Sequence, residues 1–306
     1  MNKTKTVIIA VSAFAILSSL VILICRNNIV AQVSDSGDEM AVTANFVITA
    51  PYIPNEMEFA GEKVPLDRYW VREGLDRELV TASNQHTLTM LSMKRAGRWF
   101  PIIEPILKEE GLPDDFKYLC VAESNLQNVI SPAKATGFWQ FMDKTARLYN
   151  LEIREEVDER YDVEKATHAA CKYLIGSQKR LGTWSLAAAA YNMGEAGVKK
   201  QMTDQMCDNY WNLYLNQETA RYMYRIIAYK LIFENPERYH YKLLADDLYK
   251  VIPCDTLRID TTISSLVNFA KSQDISYREL KDLNPWLRGK RLTVTAKPYT
   301  LKVPKK

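Results

Sequence analysis

A carboxylate set among apolar residues near the end of a short helix is the first feature of this chain that could do chemistry. The segment Pro113 to Asn125 opens on a proline suited to a helix start, with Asp114 and Asp115 where the positive end of the helix dipole favours anions. At about 100° per residue, Glu123 falls seven positions after Phe116 and three after Cys120, on nearly the same face as those two apolar side chains. A carboxyl aimed at a core without a cationic partner keeps its proton near neutrality, as a general acid must. The same spacing fits a last-turn glutamate that bends out to water, and this helix alone leaves both readings open. Gln140 and Asn192 are the next candidates, because they are uncharged amides inside the apolar runs Phe138 to Met142 and Ala187 to Met193, and buried amides need partners. Trp139, Phe141 and Met142 read as core. The histidines His86, His168 and His240 are far apart and lack the spacing of a metal-binding pattern, so neither a metal nor a cofactor is expected.

The elements that must position these groups are helical. Apolar periodicity and breakers predict helices over 75–109, 114–124, 140–149, 162–181, 185–193 and 216–234, with Gly111-Leu112-Pro113, Ser131-Pro132 and Asn235-Pro236 between them. In 162–181, Ala166, Ala169, Ala170, Tyr173 and Leu174 mark one buried face. Asp143 and Asp162 stand at helix starts and read as structural. After about residue 241 the pattern changes to a strand at Asp255–Ile259, two short helices, and a closing strand at Tyr299–Val303. Residues 251–306 therefore form a small separate module, while 27–65, with Pro51, Pro54 and Pro65, read as a tether and extended lead-in.

Composition bounds the function. With 306 residues there is room for about two domains. A formal charge of +3, from 40 basic and 37 acidic residues, lacks the concentrated basic footprint of a nucleic-acid binder. Val7 to Cys25 is a run of 19 residues without a charge, preceded by Lys3 and Lys5 and followed after Arg26 by Asp35, Asp38 and Glu39. This predicts a membrane anchor over residues 1–26 with an exported remainder. A cleaved signal is the alternative, and lipidation of Cys25 is disfavoured by the bulky Ile24 before it. Export permits disulfides, yet Cys120 and Cys171 lie inside apolar helical patterns and read as buried free thiols.

Four blocks in order carry a resemblance. They are Glu123-Ser124; Ser131-Pro132-Ala133-Lys134-Ala135-Thr136-Gly137-Phe138-Trp139-Gln140-Phe141-Met142 with Thr145-Ala146; Ala190-Tyr191-Asn192-Met193-Gly194; and Glu218-Thr219-Ala220-Arg221-Tyr222. Together they resemble the lytic transglycosylases of the soluble-lytic-transglycosylase type, the membrane-bound D-type in particular, which share a fold with goose-type lysozyme. The resemblance implies a mainly α protein: a lysozyme-like catalytic domain over 66–240, the N-terminal anchor, and a C-terminal α+β module. The tail, with Leu283-Asn284-Pro285-Trp286-Leu287, looks like a degenerate LysM glycan-binding module. Glu123 matches the single catalytic acid/base, Ser124 the neighbour that orients it, and Gln140 a groove residue that contacts glycan. Tyr191 and Asn192 match the pair beside the scissile sugar, Tyr222 a hydrogen-bonding tyrosine in the same region, and Glu218 the acid of its block. Lys134, Thr136 and Met193 depart from the pattern where small residues are usual, and Asn150 stands where glycine is common.

What the resemblance implies for activity is non-hydrolytic cleavage of the MurNAc–GlcNAc bond of peptidoglycan, leaving 1,6-anhydroMurNAc ends, in the cell envelope with the catalytic domain in the periplasm. The Glu123 carboxyl should then titrate near roughly 6, as other glycosidase acids do. The expected partners are peptidoglycan glycan strands, and the membrane through the N-terminal segment. A goose-lysozyme-like hydrolase and a non-catalytic glycan-binding scaffold are the alternatives.

Overall fold

The computed structural model describes residues 49–305, so the apolar run of 7–25 lies outside the described residues. Among the described residues no helix is long and apolar enough to cross a membrane. The lead-in is not wholly extended. Strands β1 (Glu58–Phe59) and β2 (Glu62–Lys63) form a hairpin whose turn residues Ala60 and Gly61 both have positive φ, 53° and 77°, as a two-residue turn of this twist requires. Phe59 is buried edge-on to Phe116, with ring centroids 5.3 Å apart.

The expected helix over 75–109 is two helices, α1 (Tyr69–Asn84) and α2 (His86–Glu110). They part at Gln85, with neither glycine nor proline at the break. The last carbonyls of α1 are taken by side chains from elsewhere: the Thr89 hydroxyl donates to the Ala82 carbonyl at 2.7 Å, and the Tyr241 hydroxyl to that of Ser83 at 2.9 Å. Those tertiary partners end α1, and helical periodicity does not register them. Helix α2 stops at Gly111 in the left-handed region, and the Leu112 amide reaches back to the Leu107 carbonyl.

A single 3-10 turn, Asp114–Phe116, leads into α3 (Lys117–Ser124). Helix α4 is Asp143–Leu148, shorter than the expected 140–149, and it leaves Gln140 in a loop. Helices α5 (Val163–Leu181), α6 (Trp184–Met193) and α8 (Gln217–Glu234) begin at Asp162, Thr183 and Asn216, whose side-chain oxygens accept the Lys165, Leu186 and Thr219 amides. Between α6 and α8 lies α7 (Glu195–Asp204), which the sequence reading did not foresee; among its residues only Val198 is buried, so its apolar stripe is too thin to show. Helix α1 packs on α8, α2 and α6 on α5, and α3 and α6 on α8, around one apolar core that includes Leu75, Ile103, Leu119, Leu174 and Ile226.

The C-terminal module follows the strand-helix-helix-strand order read from the sequence: β3 (Cys254–Ile259), α9 (Leu266–Ser272), α10 (Tyr277–Leu283) and β4 (Tyr299–Pro304). Strands β3 and β4 are antiparallel, with Cys254 opposite Pro304 and Ile259 opposite Tyr299. Buried Asn284 fastens α10 to β4, donating to the Leu280 and Lys302 carbonyls and accepting the Lys302 amide at 2.8 Å. Cys120, Cys171, Cys207 and Cys254 are free, the first two buried as their apolar surroundings predict.

Candidate active site

Glu123 sits in the last turn of α3, and what ends that helix also aims it. Asn125 and Leu126 both take left-handed conformations, with φ of 52° and 56°. The Asn125 side-chain oxygen lies 3.2 Å from both the Ser92 and the Tyr229 hydroxyls, and Arg95 donates to its carbonyl at 3.3 Å. An asparagine tolerates this backbone better than most residues. Contacts from α2 and α8 therefore lock the stop two residues beyond Glu123.

The Glu123 carboxyl meets α8, where the Tyr222 hydroxyl donates to its Oε1. Burial dominates its electrostatics and raises the carboxyl from the usual range to about 7. The Tyr222 hydrogen bond and Arg225 oppose that rise, and the nearby charge of Glu218 adds to it. Of the two readings left open for this glutamate, neither extreme describes the structure: Glu123 is half-buried, with its carboxyl turned onto Tyr222. The direction of the shift matches the expectation of a raised pKa.

Around it the other candidates fall into two groups. Tyr191, from α6, donates its hydroxyl to the Trp139 carbonyl at 2.7 Å; burial and the neighbouring Glu123 push its phenol well above its ordinary range. Tyr222, almost wholly buried, is raised for the same two reasons. The second group lies at the start of α8. Asn192 donates to Glu218 Oε1 at 3.2 Å and accepts from the Thr219 hydroxyl at 2.8 Å, tying the end of α6 to the first turn of α8. Glu218 is exposed and Thr219 is buried.

Gln140 belongs to a tight arm, 128–141, in which Thr136 bridges both Ile130 and Phe141. Its own φ is 49°, and its amide donates to the Gly137 and Val129 carbonyls at 2.7 and 3.1 Å, closing the arm on itself. Gly137 is needed here: its φ is 84°, and a Cβ would lie 1.9 Å from the Arg160 carbonyl oxygen. Trp139 is fully buried, with its indole N–H donating to the Thr167 hydroxyl at 2.9 Å, and Phe141 is buried as expected. Met142 is not core: it is 46% exposed, because the chain turns at 140–142 instead of continuing as a helix.

Ser124 is buried, and its hydroxyl donates back to the Cys120 carbonyl of its own helix at 3.3 Å. Asp143 pairs with Arg147 at 2.8 Å, and Asp162 accepts the Lys165 amide at 3.1 Å, so both serve helix starts.

Two residues near the site escaped the sequence reading. Glu78 of α1 is buried beside three guanidinium groups, at 2.6 Å from Arg221, 3.2 Å from Arg77 and 3.7 Å from Arg225, and Arg225 is the cation that draws Glu123 downward. The available signal was an acid within the apolar stripe Val71-Leu75-Leu79, opposed by two arginines four residues apart on 216–234.

Residues 100–214 match the family model described as the transglycosylase SLT domain, and residues 255–306 match that of the soluble lytic transglycosylase C-terminal LysM-like domain. The chain carries a transglycosylase SLT domain. The SLT match includes Glu123, the 128–141 arm and the Tyr191-Asn192 pair, and ends before Glu218 and Tyr222. Over 245 residues the chain is 31% identical to membrane-bound lytic murein transglycosylase D of Escherichia coli strain K12, and equally to that of strain O6:H1. That alignment takes in 77% of this chain and 52% of each relative, so the chain spans about half the length of the curated relatives it matches. Among solved structures, an inactive mutant of the lytic transglycosylase Slt from Pseudomonas aeruginosa is similar at 18% identity and a TM-score of 0.36, covering 46% of this chain and 24% of that one.

Proposed function

We propose that the protein is a peptidoglycan lytic transglycosylase, with Glu123 as both acid and base. The observation that carries this is a single glutamate of the SLT domain, held by Tyr222 and raised by burial to about 7, so that it still holds a proton near neutrality. Protonated Glu123 donates to the glycosidic oxygen between MurNAc and GlcNAc as the C1–O bond breaks, and the 2-acetamido group of the sugar supports the charge that develops at C1. The Glu123 carboxylate then takes the proton of the muramic C6 hydroxyl, whose oxygen bonds to C1. The ring closes without water, and the acid is regenerated. A nucleophile within the substrate gains from proximity, so the paired carboxylates of ordinary glycosidases are not needed.

In this reading Tyr222 orients the carboxyl, Tyr191 and Asn192 border the scissile sugar, and Gln140 contributes from the 128–141 arm. Glu218 acts through Asn192. The LysM-like module would hold glycan near the groove and raise its local concentration. The substrate and the names of the curated relatives favour the cell envelope, with the catalytic domain in the periplasm and residues 1–26 as anchor. A hydrolase would need a carboxylate to activate water, and Asp143 and Asp162 are engaged elsewhere.

The test is mass spectrometry of purified sacculi digested by residues 27–306, beside the Glu123→Gln variant. Muropeptides one water lighter than the reducing form, made only by the native residue, are expected. Reducing ends would favour the hydrolase, and no products from either would leave a glycan-binding protein.

A further inference from the structure

The C-terminal module does not meet the SLT domain through a few surface contacts. It is completed by it. Val157 and Tyr161, from the loop between α4 and α5, are buried in the module's apolar cluster with Leu266, Leu280, Leu287 and Leu301. Backbone bonds join the two parts: the Asp158 amide donates to the Trp286 carbonyl at 2.9 Å, and the Arg288 and Gly289 amides to the Glu156 carbonyl at 2.8 and 3.2 Å. At the centre is the buried Glu156 carboxylate. It accepts from Arg154 at 2.6 Å, from the Thr293 amide at 2.8 Å and hydroxyl at 3.1 Å, and from Arg291. Arg154 continues across to the Thr293 carbonyl at 2.9 Å. Gly289 packs closely here, since a Cβ on it would stand 3.1 Å from Glu156 Cγ and press on that side chain.

The other side of the same loop presses on the site. The Asp158 carboxylate grips Arg160 through two bonds, at 2.9 and 2.7 Å, and Arg160 donates to the Phe141 carbonyl at 3.2 Å. The Arg160 carbonyl fills the space beside Gly137, and Asn128 donates to the Tyr161 carbonyl at 3.1 Å. Residues 152–161 are thus held between the module and the 128–141 arm that carries Gln140 and supplies the carbonyl fixing Tyr191.

We propose that the C-terminal module positions the arm of the active site, with Glu156 as the positioning residue that locks it in place. The module then acts on turnover through the fold, whether or not it touches glycan. The consequence for catalysis rests on the function proposed above; the structural coupling does not.

The test uses the full chain with Glu156→Gln, and with Arg291→Glu, which sets a like charge against Glu156 from a side chain that is itself mostly exposed. Hydrogen exchange is read first, because it needs no activity. Opening of the docking amides of Asp158 and Arg288 should bring at least about tenfold faster exchange at Gly137 and Phe141, while amides in α5 and α8 keep native protection. Docking amides that open while the arm stays protected would overturn the proposal, as would two folded variants in which the dock stays closed. On a short soluble glycan the opened variants should raise KM several-fold, with the pH at which Glu123 titrates unchanged. An opened arm with native KM would overturn the catalytic consequence, whereas a native chain that cleaves nothing would sink the proposed function and leave the exchange result standing.

Discussion

The Tyr222 hydroxyl donates to Glu123 Oε1 from 99 residues further along the chain, joining the end of one short helix to the second turn of another. Since that bond favours the ionised carboxylate, it opposes the effect of burial. Tyr222→Phe should therefore move the alkaline limb of the kcat/KM profile upward. It should also lower kcat by roughly 10- to 100-fold, the scale of one hydrogen bond to a charged group. Profiles of the two proteins on the same soluble glycan check both. A downward move would mean that the tyrosine does not hold the charged form.

On the proposed mechanism, activity of the native chain should fall as pH rises through about 7, where Glu123 loses the proton that it would donate. Stability carries the same sign. A carboxyl raised in the fold keeps its proton while the unfolded chain gives it up, so stability declines from the ordinary carboxylate range up to about 7 and stays lowered above it. Glu123→Gln should be close to native in Tm at pH 4 and higher in Tm at pH 8. Differential scanning calorimetry at the two pH values decides this.

Gly137→Ala puts a methyl group against the Arg160 carbonyl on a backbone with φ of 84°. We expect a loss of about 3 kcal/mol or more in urea unfolding, the sum of a strained backbone and a forced displacement. A loss under about 1 kcal/mol would show that the arm moves aside easily.

Trp139→Phe keeps most of the buried ring and deletes the donor to the Thr167 hydroxyl. The expected cost is about 1–3 kcal/mol, seen as a lower urea midpoint with unchanged slope.

The module's lock should outlast mild acid. Burial alone would raise Glu156, but the bonds from Arg154, Thr293 and Arg291 outweigh it and hold the carboxyl at about 2. Its contribution is therefore present above the ordinary carboxylate range and lost only as pH falls toward 2. Amides of Asp158 and Arg288 should keep their protection at pH 4, and exchange at pH 4 beside pH 7 measures it.

What could be read from the chain was what local pattern encodes. The helix start at Asp162, the buried face of 162–181, and the burial of Phe116 and Cys120 on the face they share with Glu123 follow from spacing and side-chain chemistry. What could not be read depends on side-chain partners that helical periodicity does not encode, some near in sequence and some far. The helical pattern breaks at Gln85 because Tyr241 and Thr89 take the carbonyls of Ser83 and Ala82 just before it. Gln140 adopts a positive φ inside an apolar run because its amide closes the arm. Ser124 follows the acid in the sequence and bonds its own helix, which no spacing reveals. Nothing local marks Glu156, whose four donors include two side chains from beyond residue 290.

The hairpin ahead of α1 is bound into the helical fold. Glu62 accepts the Trp184 and Ser185 amides at the head of α6, the helix that carries Tyr191 and Asn192. Further upstream the Tyr239 hydroxyl donates to the Tyr52 carbonyl, Arg238 lies over the Tyr52 ring, and Thr49 bonds His240. The helical fold is thus gripped from Thr49 onward among the described residues. A chain cut at residue 66 would lose Glu62, and with it the side-chain acceptor for the first amides of the helix that carries Tyr191 and Asn192.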